Sequence, residues 1–123
     1  MTRKKTPSKT SPTYRLFARA MKAGQQVLCL YDGHARQVSP VILGHSKGEE
    51  KVLVFQTAGG SSGSRLPAWK CFFVAKVSEA IARDGPVRSG SSHLTRQVCV
   101  EDVDLDINPE SPYRPRRTLE DVR

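Results

Sequence analysis

The sequence predicts a mainly β protein: a small barrel or rolled antiparallel sheet behind one N-terminal α-helix. Three observations carry this. Short apolar runs recur between turn signals from Val27 to Val77, too short for helices. An Asp32-Gly33 pair sits between two of them, where both central positions of a tight hairpin turn must tolerate positive φ. Only one segment, ahead of Gln25, shows apolar residues at helical spacing.

That helix begins at Ser11-Pro12, with serine as the cap and proline in the first turn. Tyr14, Phe17, Ala18 and Met21 form its apolar face, Arg15, Arg19 and Lys22 fall on another, and Gly24 is a natural stop. Val27 to Tyr31 reads as a strand buried on both faces, returning through Ala35 to Val38. Pro40 cannot donate a ladder hydrogen bond and marks an edge or bulge, after which Val41, Ile42 and Leu43 resume the apolar pattern. A turn at Lys47-Gly48 precedes a third strand, Lys51 to Thr57, with Val38 and Val54 expected in one core. Ala58 to Ser64 is a Gly/Ser loop. Trp69 to Val77 reads as a fourth strand, followed by a helical turn at Ser78 to Ala82. Beyond Asp84-Gly85-Pro86 lies a linker, Arg88 to Ser92, then a candidate fifth strand, Arg96 to Val100. Glu101, Asp102, Asp104 and Asp106 alternate with apolar residues, compatible with an exposed, solvated acidic edge strand.

With 123 residues there is room for one ordinary domain, placed at residues 11–107. It is flanked by a basic arm (residues 1–10, with Arg3, Lys4, Lys5 and Lys9) and a charged, proline-rich tail (residues 108–123). Both ends lack the apolar residues that would offset ordering entropy and are expected to be disordered. The net charge of +8 and pI near 9.8 point to polyanions, nucleic acid first among them. No apolar run approaches the ~20 residues of a membrane span. Cys29, Cys71 and Cys99 are odd in number and widely spaced, which argues against a disulfide framework and fits a reducing cytoplasm. Cys29 and Cys71 read as small buried hydrophobes. No pair among the cysteines and His34, His45 and His93 has metal-ligand spacing, so neither metal nor other cofactor is expected. No nucleophile stands in a recognisable elbow, and the Gly59–Ser64 loop lacks the Lys-Ser/Thr ending of a phosphate loop. The chain reads as non-enzymatic.

Residues 16–80 resemble the WYL domain, a small SH3/Sm-like β-barrel of bacterial and phage regulators. The resemblance rests on the helix ending near Gly24, the strand Val27 to Tyr31 with its terminal aromatic, Arg36-Gln37-Val38-Ser39-Pro40, Leu43-Gly44, and the closing segment Phe72 to Val77. Lys51-Val52-Leu53 stands where the family has Trp-Tyr-Leu, and only Leu53 is kept. Phe73 and Lys76 take the places of two ligand-facing arginines. The resemblance implies a transcription-regulating or otherwise regulatory module that binds DNA, RNA or a nucleotide-like ligand through basic and aromatic residues of the barrel. No helix-turn-helix precedes it, so the module would act on its own surface or through a protein partner.

Arg36 is the leading candidate for an anion contact, because its planar fork matches phosphate. Lys70 and Lys76, an even separation apart on the expected fourth strand, would share one of its faces, and Arg65 could reach the same region. Tyr31 and Trp69 are candidate stacking surfaces. Arg3, Lys4, Lys5, Arg15, Arg19 and Lys22 would add an auxiliary basic surface. Each of these residues also has a plainer reading as solvated surface or, for Trp69, as core. The competing function is a small adaptor whose barrel binds another protein.

Overall fold

The computed structural model describes residues 10–60, 68–85 and 97–107. The arm, the tail and Arg65 therefore lie outside the described residues, Thr10 excepted.

The helix α1 (Pro12–Ala23) starts where its cap dictates: the Ser11 hydroxyl accepts from the Tyr14 backbone N–H at 3.1 Å. It stops at Gly24, which adopts φ 70° in the left-handed region. Its buried face is Tyr14, Phe17, Ala18, Ala20 and Met21.

Strands β1 (Gln26–Tyr31) and β2 (His34–Ser46) are joined by Asp32 and Gly33, both at positive φ, as the two-residue turn requires. Lys47 and Gly48 repeat that device between β2 and β3 (Glu49–Gly59). Then come β4 (Ala68–Phe73), a 3-10 turn at Val74–Lys76, β5 (Val77–Arg83) and β6 (Asp102–Asp106). All pairings are antiparallel, in the order β4-β3-β2-β1-β5. The long β2 holds β1 along its first half, from His34 to Val38, and β6 along its second, from Ile42 to His45.

The bulge expected at Pro40 falls between Pro40 and Ile42. It matters because it reverses the inside–outside alternation: Val38 and Leu43, five residues apart, both enter the core under α1. Val38 and Val54 share that core, with Val27, Val52, Phe72 and Val77. A second core on the other side of β2–β3 gathers Val41, Ile42, Leu53, Cys99, Val100 and Val103.

Several expectations change. The fourth strand ends at Phe73, and the 3-10 turn carries the chain round the corner so that β5 can pair with β1. Ser78 to Ala82 is strand, with no helical turn; Glu79 at φ 52° and the accompanying register shift give Val77, Ala80 and Ala82 an uneven spacing that mimics a helix. The described residues of the expected fifth strand, Gln97–Val100, bend instead, clamped by the Gln97 side chain to both Val100 backbone groups. The strand begins at Asp102, and it is no solvated edge: Asp104 is fully buried and Asp106 is buried beside it. Cys71 is exposed on β4 and bonded to Cys99 across 28 residues of sequence, which corrects both the argument against a disulfide and the reading of Cys71 as a small buried hydrophobe. Wide spacing in sequence says nothing of spacing in space. Gly44 permits the close approach of this returning segment. A Cβ there would stand 1.9 Å from the Asp102 carbonyl and 2.8 Å from a Val100 methyl.

Candidate polyanion-binding surface

Arg36 and Tyr31 do come together, inside the protein. Arg36 is 7% exposed. Its Nε and Nη2 donate to the Tyr31 carbonyl at 3.3 and 3.1 Å, and Nη1 donates to Gln56 Oε1 at 3.1 Å. Gln56 passes the network on, donating to the carbonyls of Ala58 and Gly60. The Tyr31 ring stacks on Phe72 at 3.9 Å, and the guanidinium lies 5.3 and 5.6 Å from the two ring centres. The Tyr31 hydroxyl accepts from the Phe73 N–H at 3.0 Å, a side-chain link between β1 and β4. These bonds occupy the fork with internal acceptors, so a phosphate reaches Arg36 only by displacing them.

Cys29, paired across the ladder from Arg36, is pushed up to about 11 by burial, against a lesser pull downward from the guanidinium. The native thiol should therefore resist iodoacetamide at neutral pH and react once the chain is unfolded, a difference that mass spectrometry reads directly. Because the folded thiol holds its proton to a higher pH than the unfolded one, this group also lowers stability as pH rises through the window from about 9 to about 11.

On the opposite face of β3–β4 three cross-strand pairs run in a row: Lys51 with Phe73, Leu53 with Cys71, and Phe55 with Trp69. The half-buried Phe73 ring has the Lys51 ammonium 4.2 Å and the Lys76 ammonium 5.1 Å from its centre. This pair of lysines on one aromatic ring escaped sequence reasoning, because Lys76 reaches it only through the 3-10 turn. Lys70 and Lys76 do not share a strand face, since β4 ends between them. Lys70, half-buried, pairs with Val54 on the side of β4 that carries Phe72. Trp69 packs edge-on to Phe55 and against the second core.

The outer face of α1 presents Arg15, Arg19 and Lys22, all exposed, at the i, i+4, i+7 spacing of a single stripe, and the helix holds no acid. Arg15 also donates to the Thr10 carbonyl and hydroxyl. The charges of the chain are unevenly divided. The described residues hold nine Lys or Arg and nine Asp or Glu, out of 20 and 12 in the whole chain. The remaining segments therefore carry eleven basic and three acidic residues, which is all of the +8.

Two acids, half-buried Glu50 and buried Asp104, hold the helix in place. Glu50 takes the Ser11 N–H at 2.9 Å and its hydroxyl at 2.6 Å, a carboxylate at the positive end of α1. One turn on, the Tyr14 hydroxyl donates to Asp104 Oδ2, and His45 Nδ1 lies 3.1 Å from the same oxygen. Asp104 thus joins α1, β2 and β6 at one point. Sequence alone gave no sign of this, since His45 and Tyr14 look like a turn residue and a core aromatic.

No family model, curated protein or solved structure matches this chain.

Proposed function

We propose that this chain is a non-enzymatic regulatory module that binds nucleic acid or a nucleotide-like polyanion. The observation that carries the reading is the placing of charge along the sequence: residues 1–10 hold Arg3, Lys4, Lys5 and Lys9 and no acid, half of the net +8. Such a placing separates two tasks, long-range attraction by the basic arm and shaped contact by the rest of the chain. On the body, the acid-free stripe Arg15–Arg19–Lys22 offers phosphate contacts, and Phe73 between Lys51 and Lys76 offers a ring for a base with cations beside it. The resemblance to the WYL domain supports the same reading.

Titration with short RNA, single-stranded DNA and duplex DNA at two salt concentrations tests it. Affinity should fall steeply with salt, by about 0.9 in logarithmic slope per neutralised phosphate on duplex and about 0.7 on single strands. Phe73→Ala should weaken single strands selectively, by about 1–3 kcal/mol, the worth of one stacked base. Binding that ignores salt would overturn the proposal.

A second reading, a protein adaptor, is favoured by Ile81, 56% exposed on β5, a strand whose outer edge has no strand neighbour among the described residues. It expects capture of a protein partner that survives nuclease and is abolished in Ile81→Glu.

A further inference from the structure

His45 stands between the two acids that hold α1. In the ladder its Cα partners are Glu50 on β3 and Asp102 on β6. Glu50 takes the Ser11 N–H and hydroxyl at the helix cap. Asp104 takes the Tyr14 hydroxyl, and its Oδ2 lies 3.1 Å from His45 Nδ1. A register shift puts Asp104 there: Leu43 pairs with Leu105 and Gly44 with Val103, so Asp104 is the extra residue between them. The Asp104 side chain has no solvent exposure, whereas the His45 side chain keeps 25% of its own, so a proton can come and go on the imidazole without opening the core. The described titratable groups around His45 are therefore Tyr14 from α1, its ring centre 5.4 Å from the imidazole, Glu50 from β3, and Asp102 and Asp104 from β6. Lys47 is exposed in the following turn, Lys51 is turned to the Phe73 ring, and Asp106 pairs with Ile42 of the second core.

We propose that His45 is a proton switch on the anchoring of α1: protonated, it secures the Asp104–Tyr14 contact, and on giving up the proton it loosens the first turn of the helix. Protonated, the imidazole sets a positive charge 3.1 Å from a carboxylate that water does not reach, where attraction is stronger than at the surface. Loss of the proton removes that charge, whatever else the carboxylate touches. Glu50 and Asp102 act in the same direction, since nearby carboxylates favour the charged imidazole. The folded protein therefore holds this proton to a higher pH than the unfolded chain does. By linkage, the stability it contributes is complete below about pH 6.5, the ordinary histidine value, and is lost as pH rises through the folded value. Phe17 and Met21 keep the rest of α1 in the core, so the loosening is confined to the turn that Ser11 and Tyr14 begin.

The experiment follows urea unfolding of the full-length protein from about pH 5.5 to about pH 8.5, in the wild type and in His45→Gln, which keeps an N–H donor but cannot take the charge. The range ends below the window in which Cys29 acts, and His34 and His93 are common to both proteins. The switch predicts that the folding equilibrium constant of the wild type falls about tenfold further than that of His45→Gln across this range, the equivalent of one unit in the titration of one group. Nuclear magnetic resonance should place the midpoint of the His45 ring about one unit above its value in the urea-unfolded chain, and Asp104→Asn should bring it down. Amide-exchange protection at Tyr14 and Arg15, whose N–H groups are held by Ser11, should fall as pH rises, while that at Met21 holds. Parallel pH profiles in the wild type and His45→Gln would overturn the switch, as would a His45 midpoint at or below that of the unfolded chain. Protection at Tyr14 and Arg15 that does not change with pH would overturn the loosening of the first turn. Should His45→Gln fail to fold, the ring titration of the wild type decides alone.

Discussion

Arg36→Glu should destabilise the fold by about 3–5 kcal/mol, the cost of breaking a buried charged network and leaving an uncompensated buried charge. The substitution removes all three guanidinium bonds and sets a carboxylate against the Tyr31 carbonyl and the Gln56 amide oxygen, both acceptors. It also forfeits the cation lying over the stacked Tyr31 and Phe72 rings. Arg36→Lys keeps the charge but cannot serve the two acceptors with one planar fork, and should cost about 1–2 kcal/mol. Urea unfolding followed by circular dichroism measures both. An Arg36→Glu midpoint equal to wild type would show that the network contributes nothing. The same prediction governs how binding data are read: loss of nucleic-acid binding in Arg36→Glu reports loss of the fold, and the diagnostic substitutions belong at Phe73, Lys51, Lys76 and on the helix stripe.

Asp104→Ala should cost about 3 kcal/mol, through a buried tyrosine hydroxyl left without its acceptor and an imidazole left without its carboxylate. Asp104→Asn keeps an acceptor for Tyr14 and should cost less. Tyr14→Phe removes only the hydroxyl and should cost about 1 kcal/mol. Because the two residues touch, a double-mutant cycle between them should give a coupling of about 0.5–3 kcal/mol, whereas additivity would mean that α1 and β6 are not joined at this point.

The division between what was legible and what was not follows the range of the interactions involved. Ser11-Pro12, Gly24, Asp32-Gly33, Lys47-Gly48 and Pro40 act within a few residues of themselves, and each has the role its chemistry predicts. The helix stripe was legible for the same reason, since i, i+4 spacing is local. What escaped depends on residues brought together from afar. Asp104 lies 90 residues from Tyr14, and Cys71 finds its partner 28 residues on. An alternating acidic strand reads as solvated surface until a histidine and a tyrosine arrive from elsewhere to satisfy it. Arg36 looked exposed because it follows a tight turn, yet Gln56 and the Tyr31 carbonyl stand inside to receive it. The strand β5 was missed because the bulge at Glu79 spoils its alternation.

The most direct test of the central claim, that the basic arm and the helix stripe attract a polyanion, is the salt dependence of duplex DNA binding in three full-length proteins. These are the wild type, a variant with Arg3, Lys4, Lys5 and Lys9 changed to glutamine, and a variant with Arg15, Arg19 and Lys22 changed to glutamine. The account predicts a steep slope for the wild type, flattened in the first variant by up to about 0.9 for each phosphate the arm no longer neutralises. The helix variant should be flattened as well, and by less, since it removes three positive charges where the arm variant removes four. Identical slopes in all three proteins would contradict it.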